Sequence, residues 1–249
     1  MFFKILFALA VVIEFVTVPL FLKYSWPEKT FKSLGYKMIS ATLFLIAGLL
    51  AMKISSNSTP YASLVMWGLF FGWLGDLFLG YPSKKIVVFG IGLFAFLGGH
   101  IFYIAAFQKA IYVRYPQSAA FAWYEILLVL ALVGLVIFYA LKKKINIKNV
   151  MAIPVVMYAV TISCMLVKAF RLCVGEWLYG MQDHMFALFL TVAIGAVLFV
   201  LSDGSLGLLL FAGQGKNRPL KFFNIGTYFA AQILLASSIF LIYTPVLPT

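Results

Sequence analysis

The sequence predicts an all-α integral membrane protein, a bundle of eight transmembrane helices. Hydrophobic residues make up 64% of the 249 positions, charged residues make up only 10%, and the mean hydropathy is +1.06. These values exclude an ordinary soluble globule. A helix needs about 20 apolar residues to cross the hydrocarbon core of a bilayer. The chain contains eight apolar runs of roughly that length, which sets the predicted number of helices.

Short polar connections separate the eight runs, so neighbouring helices are expected to be antiparallel. No connection is long enough for a soluble domain, and we therefore predict one polytopic membrane domain over residues 1–249. The first run continues from Phe2 to Leu22 without a polar cleavage region, which favours a retained span over a signal peptide. In chain order, the predicted spans are 2–22, 36–52, 61–79, 86–107, 121–141, 150–167, 185–211 and 222–243.

The basic residues predict the orientation of these spans. Of the 19 lysines and arginines, thirteen lie in the connections after the odd-numbered spans and six lie on the opposite side. Four of the thirteen, Lys23, Lys29, Lys32 and Lys37, follow the first span. The positive-inside rule places these connections in the cytoplasm and both termini on the non-cytoplasmic side. The net charge of +12 thus reflects topology and not a nucleic-acid partner, and we expect a bacterial inner-membrane protein.

Three of the seven acidic residues, Glu14, Asp76 and Asp203, fall inside apolar runs. An Asp near the middle of a membrane helix costs roughly 2.5 to 3.5 kcal/mol, so such an acid indicates a functional site. Asp76 follows Gly68 and Gly72 at helical spacing, and a G-x-x-x-G pair lets membrane helices approach closely. We therefore expect Asp76 to face the interior of the bundle, where it could also be a purely structural hydrogen-bonding group.

Asp203 lies in the seventh span, which has the same predicted direction as the third. Both acids would then occupy the cytoplasmic half of the membrane, at depths that differ by several Å at about 1.5 Å per residue. Two carboxyl groups on different helices at similar depth can form an acid-base pair. We predict Asp76 and Asp203 as the catalytic residues, and their individual roles stay open. The alternative is two independent acids near the membrane surface.

His100 fits this pair least well. It lies about 21 Å from the cytoplasmic end of its span, whereas Asp76 lies about 5 Å in, at about 1.5 Å per residue. A supporting histidine that donates to a backbone or Tyr oxygen is therefore the more favoured interpretation. Taken singly, polar residues within spans usually bridge two helices. Together they predict a polar cavity that binds substrate or positions water, with candidates Tyr158, Gln232, Tyr228, His100, Tyr103, Ser202 and Glu14.

Basic residues beyond the third and seventh spans could bind a phosphate headgroup, although they also serve as topology determinants. These candidates are Lys84, Lys85, Lys216, Arg218 and Lys221. The two cysteines, Cys164 and Cys173, do not have the spacing of a metal site, so we expect neither a metal nor another cofactor.

Five motifs in chain order resemble the YhhN family of lysoplasmalogenases, which includes the mammalian transmembrane protein 86 enzymes. The resemblance runs from the third span to the last. The motifs are Gly75-Asp76 followed by Leu79, Gly99-His100-x-x-Tyr103, Pro154-x-x-x-Tyr158, Leu198-Phe199-x-x-Ser202-Asp203 and Tyr228-x-x-x-Gln232.

The resemblance implies an eight-helix hydrolase that cleaves the vinyl ether bond of a lysoplasmalogen. The products are a fatty aldehyde and glycerophosphoethanolamine or glycerophosphocholine, and the headgroup stays open. Protonation of the β-carbon gives an oxocarbenium ion, so one protonated carboxyl and one carboxylate suit the chemistry, as in glycosidases. The expected partners are a lysophospholipid substrate and membrane lipid, and a homodimer stays open.

Two other functions compete with this prediction. Intramembrane aspartyl proteases pair two Asp residues and have a Gly-x-Gly-Asp motif, but Trp73 replaces the first glycine before Gly75-Asp76. Ser202, and not Tyr, precedes Asp203. A proton-coupled lipid or small-molecule transporter could use Glu14 and both aspartates as proton carriers. The small size of the chain and the lack of a visible internal repeat weigh against a transporter.

Overall fold

The computed structural model describes residues 2–56, 58–83, 85–114, 116–117, 120–142, 149–178 and 185–242. Within these residues, eight helices are long and apolar enough to cross a membrane, which confirms the predicted helix number. The orientation of the termini stays a prediction. The helices are α1 (Phe2–Tyr24), α2 (Phe31–Ser55), α3 (Pro60–Gly80), α4 (Ile86–Arg114), α5 (Trp123–Lys142), α6 (Asn149–Leu178), α7 and α8 (Arg218–Ser237). The seventh helix, α7, consists of α-helical Met185–Leu188, π-helical Phe189–Ile194 and α-helical Gly195–Phe211.

The start of α2 differs from the predicted span, which begins at residue 36. Thr30 caps the helix: its hydroxyl accepts a hydrogen bond from the Ser33 amide at 3.0 Å, and the Ser33 hydroxyl accepts one from the Thr30 amide at 2.9 Å. This reciprocal arrangement satisfies amide groups that the helix itself leaves unpaired. The helix therefore begins at Phe31, and Lys37 lies within it and not in a connection.

The end of α6 also differs, because the predicted span stops at residue 167. Two cations follow in the helix, Lys168 and Arg171, and both pair with the buried Glu125 of α5. The distances are 2.9 Å from Lys168 Nζ to Glu125 Oε1 and 2.5 Å from Arg171 to Glu125 Oε2. Because a buried acid compensates these charges, the helix continues to Leu178.

Glycines set the packing of α3 against α4. A Cβ on Gly68 would lie 2.5 Å from the ring of Tyr103, and one on Gly75 would lie 2.6 Å from the ring of Phe96. The two contacts are seven residues apart on both helices, so the pair is antiparallel with constant register. The same register places Gly80, the last residue of α3, opposite the sixth residue of α4. The beginning of α4 thus extends more than one turn beyond the end of α3.

Lysine contacts join several helix ends at one end of the bundle. Lys29, between α1 and α2, donates to the Leu79 carbonyl near the end of α3 at 2.6 Å. Lys221, in the first turn of α8, donates to the carbonyl of Ser25, just after α1, at 2.6 Å. We call this the basic end of the bundle. The core lies among the inner faces of α2, α3, α4, α7 and α8, whereas α5 packs mainly on α6 at the periphery.

Candidate active site

Asp76 is held inside the bundle by two side chains from different helices. Its carboxylate is 1% exposed, and Oδ1 lies 2.9 Å from the ammonium of Lys37 on α2. The hydroxyl of Tyr228 on α8 donates to Oδ2 at 2.7 Å. The glycine stripe of α3 makes room for this contact, since Tyr228 Oη lies 3.4 Å from where a Cβ of Gly72 would be. Lys37 thus provides the counter-ion that a buried carboxylate requires.

A directional chain of hydrogen bonds leads to Asp76. Tyr103 donates to the Gln232 side-chain oxygen at 2.7 Å, the Gln232 amide donates to the Tyr228 hydroxyl at 3.0 Å, and Tyr228 donates to the acid. All four side chains are buried. Successive donors in one direction polarise each other and strengthen the last bond. The chain therefore stabilises negative charge on Asp76.

Glu14 on α1 is the second acid of this region. It is 4% exposed, and neither carboxyl oxygen has a hydrogen-bond partner among the residues that the structure describes. A buried carboxylate without partners is costly, so the uncharged acid is the form that suits this environment. Glu14 thus adds a proton-bearing group to the neighbourhood of Asp76 without contacting it through a hydrogen bond.

Asp203 on α7 lies in a separate group of polar side chains. Its Oδ2 accepts a hydrogen bond from the Tyr158 hydroxyl at 2.7 Å and lies 3.1 Å from His100 Nε2. The other ring nitrogen of His100 lies 3.3 Å from the sulfur of Met165. Both ring nitrogens of His100 therefore contact side chains on neighbouring helices. His100 is fully buried, whereas the Asp203 side chain is 12% exposed.

The two aspartates do not hydrogen-bond each other, and an aromatic ring connects their surroundings. Phe199 of α7 makes edge contacts with the rings of His100 and Tyr228, at centroid distances of 4.6 and 5.5 Å. Each carboxylate thus has its own nitrogen-bearing partner, Lys37 or His100, and its own tyrosine. Their joint catalytic role stays a prediction. If they act together, they do so as two separate groups and not as a directly hydrogen-bonded pair.

The stagger of α3 and α4 explains why His100 reaches an aspartate. The depth estimate assumed that the two helices start at one level, which placed His100 about 16 Å deeper than Asp76. In the register of the glycine contacts, Asp76 lies opposite Ala95, so His100 is only five residues deeper, about 7.5 Å. It still makes no hydrogen bond with Asp76, and its partners are Tyr158 and Asp203.

Other predicted site residues lie elsewhere. Ser202 points at α8, where its hydroxyl donates to the Asn224 carbonyl at 3.0 Å and accepts from the Asn224 amide at 3.0 Å. Lys85, Lys216 and Arg218 are exposed on or beside connections, and Lys84 lies outside the described residues. Of the headgroup candidates, Lys221 alone is turned inward among those described, through its bond to Ser25.

Lys37 is the functional residue that the sequence analysis missed. It was counted with the cytoplasmic connection after the first span, although it is the second residue of the predicted span 36–52. A signal was present: Ser33, Lys37, Ser40, Ala41 and Phe44 recur at helical spacing, and all are buried on one face of α2. A lysine on a stripe of small residues is a candidate partner for an intramembrane acid.

Comparison with known proteins supports the family resemblance. The profile of the YhhN family matches residues 32–239, well over half of the chain. The chain belongs to the YhhN family. Lys37, both aspartates and their tyrosine partners lie within the matched YhhN region, whereas Glu14 and Lys29 precede it. Searches of curated proteins and of solved structures found no match.

The side chains around Asp76 and Asp203 can donate and accept protons inside the bundle. One carboxylate is held as an ion pair with lysine, and the other shares a histidine and a tyrosine that can each carry a proton. Within the described residues, His, Cys, Asp and Glu do not form a group of three that could hold a metal ion. The buried carboxylates, histidine and tyrosines of this YhhN protein can supply acid-base chemistry.

Proposed function

We propose that this YhhN-family protein is an intramembrane lysoplasmalogenase, which hydrolyses the vinyl ether bond of an alkenyl-glycerophospholipid. The family is associated with this activity. The observation that carries the proposal is the two buried carboxylate groups, Asp76 with Lys37 and Asp203 with His100, whose surroundings meet at the ring of Phe199. The reaction needs a proton donor and a negative charge near one substrate carbon, and these two groups supply both.

The Asp203 group gives the proton in this proposal. The proton shared by His100 and Asp203 is transferred to the β-carbon of the vinyl ether, and the double-bond electrons form the new C–H bond. Asp203 is the more exposed of the two acids, so it is the one a substrate can reach. Tyr158 holds the carboxylate in place through its 2.7 Å bond. General acid catalysis of this kind contributes about 10² to 10⁴-fold.

Asp76 stabilises the cation that follows. Protonation leaves an oxocarbenium ion at the α-carbon and ether oxygen, and a fixed carboxylate lowers its energy in a low-dielectric site. Water then adds to the α-carbon and returns a proton to the Asp203 group. The hemiacetal collapses to a fatty aldehyde and a free glycerol hydroxyl. One water is consumed, and neither redox change nor net proton uptake occurs.

The geometry argues against the protease alternative. Aspartyl proteases hold two carboxyl groups about 3 Å apart with one shared proton. Here Asp76 pairs with Lys37 and Asp203 with His100, and no hydrogen bond joins the two aspartates. The transporter alternative has one supporting observation, the unpartnered and buried Glu14 near the Asp76 group. It predicts ligand binding without aldehyde formation, so one assay separates it from the hydrolase.

The test is aldehyde release by purified protein in detergent from an alkenyl-lysophosphoethanolamine. Asp76→Asn and Asp203→Asn are expected to lose at least about 10²-fold in rate. Glu28→Gln, which neutralises an exposed acid outside the helices, is the matched control and should retain activity. In D₂O the aldehyde should gain one deuterium at C2, the former β-carbon. Full activity of either Asn variant would rule out the assigned roles, and a folded but inactive wild type would favour transport.

A further inference from the structure

Two lysine ammonium groups meet beside the last turn of α3 at the basic end of the bundle. Lys29 donates to the carbonyl of Leu79 at 2.6 Å. The ammonium of Lys37 lies 4.0 Å from the position that a Cβ on Gly80 would occupy, and 2.9 Å from Asp76. Leu79 and Gly80 are consecutive, so both ammonium groups lie against the same short segment of backbone. Only one of them has a carboxylate partner.

Lys221 adds a third positive charge to this group. It enters from the first turn of α8, donates to the Ser25 carbonyl at 2.6 Å, and lies 5.6 Å from the ring of Trp26. Its charge is felt at Lys29: loss of water around the Lys29 ammonium, with the charges of Lys37 and Lys221, lowers the pKa of Lys29 to about 8. The α2 and α8 helices and the connection between α1 and α2 thus direct one lysine each toward one place.

The charges in this cluster do not balance. The cluster contains three lysines and one carboxylate, Asp76, which pairs with Lys37, and this leaves an excess of two positive charges. Glu28 adjoins Lys29 in the sequence, but it is exposed and forms no ion pair with the three lysines. An ammonium has three donors, and the described hydrogen bonds use one each on Lys29 and Lys221. The remaining donors and the excess charge suit an anion with several oxygens.

The position of the cluster indicates which anion. It lies at the helix ends, the level at which lipid headgroups lie, and its innermost member pairs with Asp76. We propose that Lys29, Lys37 and Lys221 form a binding site for the phosphate of a lysophospholipid headgroup. This inference rests on the proposed function for its substrate. The phosphate would bind at the helix ends and the glycerol ether would extend inward toward the aspartates. The exposed lysines beyond α3 and α7 then act mainly in topology.

The test measures binding without turnover. A saturated 1-O-alkyl-lysophosphoethanolamine has the phosphate but no vinyl ether, and a 1-O-alkyl-glycerol of the same chain length lacks the phosphate. Affinities for wild type, Lys29→Gln, Lys221→Gln and the double variant are measured by tryptophan fluorescence in detergent. Because each single variant loses a charged hydrogen bond to the phosphate, it should bind the phospholipid at least about tenfold more weakly, with alkyl-glycerol affinity unchanged.

Lys32→Gln is the matched control, because Lys32 is exposed at the same end and its ammonium lies over the ring of Tyr24 at 3.9 Å. It should bind like wild type. If Lys29→Gln, Lys221→Gln and Lys32→Gln lost phospholipid affinity equally, the lysines would act only by general surface attraction, and the proposal would be overturned. A second outcome would also overturn the proposal: inorganic phosphate binds in a way that depends on Lys29 and Lys221, and the phospholipid does not. The cluster would then be a site for free phosphate. Because the ligand is not cleaved, failure here is distinct from absence of aldehyde release.

Discussion

Removal of the Lys37 charge tests the ion pair on which the Asp76 assignment depends. In Lys37→Met the side chain keeps its length and loses its ammonium, so Asp76 keeps only the Tyr228 hydroxyl as a partner. At 2.9 Å and an effective dielectric of about 20, the direct attraction is about 6 kcal/mol, partly offset by desolvation of both ions. Breaking a buried pair from one side typically costs about 3 to 5 kcal/mol. We expect a loss of unfolding free energy in this range.

A double-mutant cycle makes the test specific. Equilibrium unfolding in mixed micelles is measured for wild type, Lys37→Met, Asp76→Asn and the double variant. Because the double variant leaves no unpaired charge, it should be more stable than the two single losses predict, with a coupling energy of about 2 to 3 kcal/mol. Aldehyde release should stay low in all three variants, since none retains the paired carboxylate. Additive stability losses would refute the ion pair, even if activity falls.

Three further predictions concern other parts of the site. Tyr158→Phe removes one of the two hydrogen bonds to its acid and should lower kcat about tenfold, the equivalent of about 1.4 kcal/mol, with an unchanged melting temperature within a few degrees. Gly72→Ala places a methyl group against the Gln232 amide and should cost about 1 to 3 kcal/mol in unfolding experiments, whereas Gly90→Ala, with open space around it, should be tolerated. The lowered pKa of Lys29, from its usual 10.5 to about 8, means that the unfolded chain binds more protons between these values. Melting temperatures should therefore rise with pH from about 8 to 10 in wild type, and this slope should shrink in Lys29→Gln.

Hydropathy predicted the helices well and their ends less well, for physical reasons. The apolar runs had to be helices because a bilayer leaves no other partner for backbone polar groups. The ends of α2 and α6 were wrong because charged residues were taken as breaks. A capping box extends α2 to Phe31, and Glu125 compensates the cations that extend α6 to Leu178. The capping box is local, because Thr30 and Ser33 are three residues apart, whereas the compensation of Lys168 and Arg171 needs a partner on another helix.

The candidate site was predictable where spacing alone brings residues together. Tyr228 and Gln232, four residues apart, do share a face and bond to each other. Sequence spacing could not reveal that Phe199 lies between the surroundings of the two aspartates, because this depends on how α4, α7 and α8 pack. It also gave no account of helix stagger, which decides the depth of His100. These relations between helices depend on packing, and the sequence of a single span does not determine them.

The π-helical segment Phe189–Ile194 has a consequence for Asp203, which lies nine residues beyond it. In a regular helix each residue turns the chain by about 100°, and a π segment holds extra residues in its turn. If the same residues wound as a regular α-helix, everything after them would rotate by about that angle. Asp203 would then swing away from His100 and Tyr158 while its own sequence stayed intact. The orientation of the acid thus depends on how the helix winds upstream of it as well as on the identity of residue 203.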